Sequence, residues 1–168
     1  LGVGHKVEGI GFIAITGFGL SAAALVGQNL GARQEARARE AVRVTVRYCL
    51  VVTVATALAF VAIPETLVGF FTKDPAVIED GSLYLLIIAF AQIGQTFEIV
   101  LEGALAGAGY TFWPMTIGTV LTFLRIPLAA WWSGPLGLFG IWLALSLTAI
   151  ARGVANTYFW LRGSWRDS

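Results

Sequence analysis

Residues 81–97 read GSLYLLIIAFAQIGQTF, 17 positions without a charge. Continued to Leu105, the stretch is longer than the roughly 20 mostly apolar residues that cross a bilayer core as a helix. Within it, Gln92, Gln95, Glu98 and Glu102 share one side. At about 100° per residue they fall within an arc of about 120°. A polar stripe turned to lipid is untenable, since each intramembrane charge costs roughly 2.5–3.5 kcal/mol at a helix centre. The stripe is therefore expected to line something wet or a polar interior.

Similar runs fill the rest of the chain. Gly9–Ala32, Tyr48–Pro64, Gly103–Leu124 and Ile126–Ala151 are also uncharged. Of the 168 residues, 57 % are hydrophobic and 12 % charged, with a mean hydropathy of +0.78. A soluble domain carries about 25 % charged residues, so this chain lacks the charge to cover a surface in water. Disorder, collagen and a disulfide scaffold are excluded: the chain is too apolar, its 20 glycines show no three-residue period, and Cys49 is its one cysteine. A net charge of +1 gives no argument for nucleic acid. The fold class expected is an all-α, polytopic transmembrane helix bundle with spans at about 9–30, 43–64, 82–105, 112–133 and 138–160. Period-two alternation is lacking, so a barrel is not expected. Opening on Leu1, the sequence is expected to be a piece of a longer one, with 1–168 forming a partial C-terminal bundle.

Punctuation supports these spans. Gly31 follows the first and Pro64 closes the second. Asp74-Pro75 pairs a capping residue with proline at the first helical position. Gly107-Ala108-Gly109 ends the third span, and Ser133–Gly137 reads as a tight connection before the fifth. Pro127 sits inside the fourth, where its ring frees a carbonyl. The connection after the first span carries Arg33, Arg37, Arg39, Arg43 and Arg47, and the tail carries Arg162 and Arg166. The positive-inside rule then places that connection and the C-terminus in the cytoplasm. Trp131 and Trp132 at one end, and Trp160 and Trp165 at the other, are expected to form aromatic belts.

Five motifs, in order, carry a resemblance. Leu25–Ala32 (LVGQNLGA) resembles the VGQ-x-LGA signature of the multidrug and toxic compound extrusion (MATE) transporters. Leu101–Thr111 (LEGALAGAGYT) resembles the family's G-x-LRGAGDT segment, with Ala106 in place of Arg and Tyr110 in place of Asp. Phe71–Asp74 resembles its F-T-x-D loop, Arg125–Leu128 its R-I-P-L stretch, and Gly140–Ala144 its G-I-W-x-A. Members have twelve helices in two six-helix bundles. The resemblance implies that these spans are helices eight to twelve and that the N-terminal bundle lies elsewhere in the same chain.

Candidate site residues follow from both readings. Carboxylates near the midplane can hold a proton or Na⁺, and amides beside them can hydrogen-bond a polar substrate. Glu98, Gln95, Gln92 and Glu102 are thus the candidate cation-coupling or substrate-facing set. The resemblance implies a coupling carboxylate on helix ten, at a position nearer Gln95 than Glu98. The competing role is an interhelical ion pair of Glu98 or Glu102 with Arg125 or Arg152, favoured for Glu102. Gly27, Gly31, Gly103 and Gly107 occur at four-residue spacing, a pattern for close helix packing or for a gate where helices slide. Glu8, near the start of the first span, resembles an acidic residue near the start of helix eight in some family members; the reading preferred is a solvated interfacial carboxylate, with His5 solvated beside it. Phe12, Phe18, Phe90 and Phe97 line a greasy cavity or face lipid.

Metal-ligand spacings, GxSxG, P-loop and GxGxxG patterns are missing, so an enzyme is not expected. The function expected is part of an H⁺- or Na⁺-coupled antiporter exporting organic drugs or toxic compounds. Its expected partners are small organic substrates and the lipid bilayer, with no cofactor, metal or nucleic acid. Two alternatives stay open: a lipid-linked oligosaccharide flippase of the same superfamily, and a non-transporting membrane scaffold subunit.

Overall fold

The computed structural model describes residues 2–163 and 165, and it is helical: α1 Gly2–Gly31, α2 Glu35–Ala62, α3 Pro64–Gly69, α4 Pro75–Gly107, α5 Phe112–Leu136 and α6 Leu138–Arg162. All but the six-residue α3 are long and apolar enough to cross a membrane. They carry the five expected spans and overrun several of their ends.

The differences lie in the connections. Arg33, not Gly31, takes the left-handed conformation after α1, at φ 57°. Its N–H donates to the Leu30 carbonyl at 2.8 Å, and the Gln34 N–H to that of Asn29 at 2.8 Å. Pro64 opens α3 after α2 has stopped at Ala62. Asp74 caps α4, accepting from the Ala76 N–H at 3.0 Å. The expected tight connection at Ser133–Gly137 shrinks to Gly137 alone: α5 runs through Pro127 and Pro135 to Leu136, and Gly137 turns at φ 57°. Arg166 lies outside the described residues.

Helix α4 is the centre of the bundle, packed on α1, α2, α3 and α6. Small residues set its distance from two neighbours. A Cβ on Gly103 would stand 2.2 Å from the Gly19 carbonyl oxygen, and one on Gly107 2.2 Å from that of Ala23. Gly27 completes that row on α1, 3.3 Å from the Gly107 carbonyl by the same measure. Gly31, the fourth glycine of the expected set, has nothing within 4 Å of such a Cβ and takes no part in the packing. On the α6 side, Gly153 abuts the Gly94 carbonyl. Close backbone approach of this kind lets helices associate where lipid supplies no hydrophobic drive. Between α2 and α4, Thr53 and Thr96 share a buried hydroxyl hydrogen bond of 2.6 Å, with Cys49 buried beside them. By contrast α5 packs chiefly against α6 and buries only Pro114.

Of the expected aromatic belts, Trp131 is exposed, but Trp165 is buried. It stacks on Trp160 at 4.5 Å between ring centroids, under the Arg39 guanidinium. A buried, cation-capped indole replaces the lipid-facing one expected from composition.

Candidate functional site

A cavity of about 430 Å³ opens where α1, α4, α5 and α6 face one another. Helix α4 supplies one wall through Gln95, Glu98 and Glu102, as expected. Gln92 is not on that wall: it is fully buried on the α1 side, its amide close to Gly11. The 120° arc is therefore split, with its Gln92 edge turned into the helix contact. Neither polar atom of the Gln92 amide has a hydrogen-bond partner among the described residues.

Helix α1 brings the residue that the sequence reading placed in solvent. Glu8 is 6 % exposed. The Tyr84 hydroxyl donates to its Oε2, and the Gln95 amide donates to its Oε1 at 3.3 Å. His5 Nδ1 lies 3.1 Å from Oε2 while the rest of its ring is largely exposed. The reason for the burial is local. Gly4, one turn ahead of Glu8, leaves room for the Tyr84 ring, since a Cβ there would stand 2.6 Å from Cδ1. Trp142 then holds the ring edge-on at 5.6 Å. A phenol clamped between two helices must spend its hydroxyl on something, and the facing carboxylate takes it. The signal was present in the sequence: a tyrosine alone in an aliphatic run needs a polar partner from another helix.

Glu98 is the second carboxylate. Its Oε1 accepts from Arg152 Nη1 on α6 at 2.8 Å, with the side chains 11 % and 19 % exposed. Arg152 Nη2 donates onward to the Gly118 carbonyl at 2.9 Å and to the Thr122 hydroxyl, both on α5. Asn156 donates to the Glu98 backbone carbonyl at 3.0 Å. Of the expected ion pairs, Glu98 with Arg152 forms. Arg125 instead donates through Nε to the Thr148 hydroxyl at 2.8 Å. Glu102 is exposed, lining both this cavity and a neighbouring recess against α5.

The cavity thus holds two buried carboxylates in opposite circumstances, with the exposed Glu102 further along the same wall. Glu98 faces a guanidinium. Glu8 faces a hydroxyl, an amide and an imidazole that is charged only when protonated. Two further polar atoms on the wall, Gln95 Oε1 and Ser146 Oγ, are buried without a hydrogen-bond partner among the described residues. Of the expected phenylalanines, Phe12 lines this cavity and Phe90 and Phe97 face away from it. Among the described residues no cluster of His, Cys, Asp and Glu is suited to a metal ion.

The MatE family model matches residues 1–131, most of the chain. The chain belongs to the MatE family. Its relatives include a probable multidrug resistance protein NorM of Thermotoga maritima, 29 % identical over 166 residues that cover 97 % of this chain and 36 % of that protein. An FAD transporter of Shewanella oneidensis is 29 % identical over 158 residues, 94 % of this chain and 35 % of its own length. A probable NorM of Mannheimia succiniciproducens is 31 % identical over 152 residues, 83 % of this chain and 32 % of its own length. The chain therefore spans about a third of the length of these curated relatives. With five apolar helices and a MatE sequence, it is a multi-pass membrane protein. At the family's Asp position, Tyr110 packs its ring on Phe159 at 6.1 Å.

Proposed function

We propose that this chain is the C-terminal bundle of a MatE exporter that moves organic drugs or toxic compounds against an inward flow of H⁺ or Na⁺, with Glu8 as its cation-binding carboxylate. One observation carries the assignment: of the three carboxylates on the α1/α4/α6 cavity, Glu8 and Glu98 are buried, and of those two only Glu98 has a guanidinium against it. A carboxylate already matched to arginine has little to offer a cation. Glu8, held by the Tyr84 hydroxyl, the Gln95 amide and the His5 imidazole with no guanidinium against it, gains most from one. Gln95 Oε1 and Ser146 Oγ supply further oxygens for the ion or for a polar group of the substrate. Arg33 in the α1–α2 turn and Arg37, Arg39, Arg43 and Arg47 along the start of α2 favour an orientation with that end and the C-terminus in the cytoplasm. Glu8, seven residues into α1, then lies toward the outer face, where a cation driven inward arrives first. Coupling follows when the cation binds the outward- and inward-open states with different affinity.

The NorM relatives support the drug-export reading, and the FAD transporter shows that the family name alone does not fix the cargo. The test is ethidium efflux by the intact protein in an efflux-deficient host. Glu8→Gln should abolish ion-gradient-dependent efflux at normal membrane abundance, while Glu102→Gln should keep it. Undiminished efflux from Glu8→Gln removes Glu8 from the coupling step.

A further inference from the structure

A second groove lies on the opposite side of α4 from the cavity, between α2 and α6, and its two halves differ in chemistry. At the end nearer the α1–α2 turn is a cleft of about 290 Å³ walled by Val42, Val46, Leu101 and Trp160, with Arg39 and Arg43 at its rim. It continues through Phe97, Thr157 and Leu161, which line both parts, into an apolar trough of about 660 Å³ along α4 and α6. Its floor is the Gly94–Gly153 contact, where two helix backbones meet without side chains between them. The rim is a built feature. Arg39 is half-buried, its guanidinium 5.6 Å from the centroid of the Trp165 ring, and Trp165 is stacked in turn on Trp160. Among the described residues no carboxylate pairs with Arg39, whereas Arg43 shares its charge with Glu40.

We propose that this groove binds one anionic phospholipid, with its phosphate at Arg39 and Arg43 and an acyl chain laid along the trough past Phe97 and Val154. Three features select this occupant. The groove is charged at one end only, and that end is where the bundle leaves the apolar layer, so head and tail fall at their proper depths. The charge is positive and carried by arginines, which match phosphate oxygens in geometry as well as sign. The trough is also apolar along its length, lined by Phe90, Ile93, Phe97, Ile150, Val154 and Leu161, which suits an acyl chain. A basic pocket between transmembrane helices is a form in which lipid headgroups are recognised.

The intact protein, purified in mild detergent and offered equal amounts of dioleoyl phosphatidylglycerol and dioleoyl phosphatidylcholine, tests this by native mass spectrometry. The wild type should retain one phosphatidylglycerol with a preference of about 30-fold, expected from two basic residues near the headgroup. Arg39→Gln with Arg43→Gln should bring the ratio of the two lipids to about one. Val154→Trp, at an exposed position that fills the trough, should lose most of both lipids with the rim charges intact, and it decides the matter if the arginine pair is needed for folding. Millimolar sn-glycerol 3-phosphate should leave the bound lipid in place. Equal retention of the two lipids by the wild type overturns the proposal, as does a preference that survives the double substitution. Displacement by glycerol phosphate would mean a site for free phosphate esters. Retention of no lipid at all would mean that another part of the protein fills the groove.

Discussion

The Glu98 carboxylate on α4 and the Arg152 guanidinium on α6 meet at 2.8 Å inside the bundle, and the same guanidinium reaches α5 at the Gly118 carbonyl. Three helices are joined by one charged side chain. A pair so placed is costly to break from one side, because the survivor is left charged and dry. Glu98→Gln or Arg152→Gln is expected to destabilise the intact protein by about 3 kcal/mol. Replacing both by Leu and Met should cost less than the sum of the single changes. Thermal unfolding in detergent, run as a double-mutant cycle, measures the difference.

The α1/α4 contact makes a sharper prediction, because two of the four glycines expected at packing positions differ completely in surroundings. Gly103→Ala puts a methyl against the Gly19 carbonyl and should cost about 1–3 kcal/mol as the helices part. Gly31→Ala meets nothing and should be neutral or stabilising by up to about 1 kcal/mol through helix propensity. Comparing the Tm of the two variants checks it.

Tyr84→Phe keeps the ring edge-on to Trp142 and removes the hydroxyl that Glu8 accepts from. The expected cost is about 1–2 kcal/mol, the usual price of a lost buried hydrogen bond to a charged or polar partner. Under the proposed function it should also weaken ion coupling more than it weakens folding. Efflux at matched membrane abundance separates the two.

Arg33 occupies the left-handed region that glycine enters freely. Arg33→Gly should raise stability by about 1 kcal/mol, since the steric cost of that conformation is of this order. A lower Tm would show that the guanidinium contributes more at this turn than its backbone costs.

The five spans were legible because each depends on a property read directly from composition: length without charge. The central place of α4 was half legible. Its polar stripe announced an interior helix, but a helical wheel cannot say which part of a 120° arc meets a neighbour, and Gln92 went to the α1 contact while Gln95 and Glu98 went to the cavity. Glu8 was misjudged because position near a helix end was taken for exposure, whereas burial is decided by what packs there. Here that is Tyr84, 76 residues away and admitted by the space at Gly4. The same limit applies to Trp165, whose cover is Arg39 from a helix distant in sequence. Short connections were predicted by their glycines and prolines in kind, not in place. Pro135 stands inside α5, which ends one residue later at Leu136.

Helix α5 is carried by α6 and hinged to it through the single residue Gly137. The wall it forms is consequently fastened to the rest of the bundle by the hand that also quiets Glu98. One nitrogen of that guanidinium holds the carboxylate and the other holds the wall. A change at this one side chain therefore reaches the acid and the wall together.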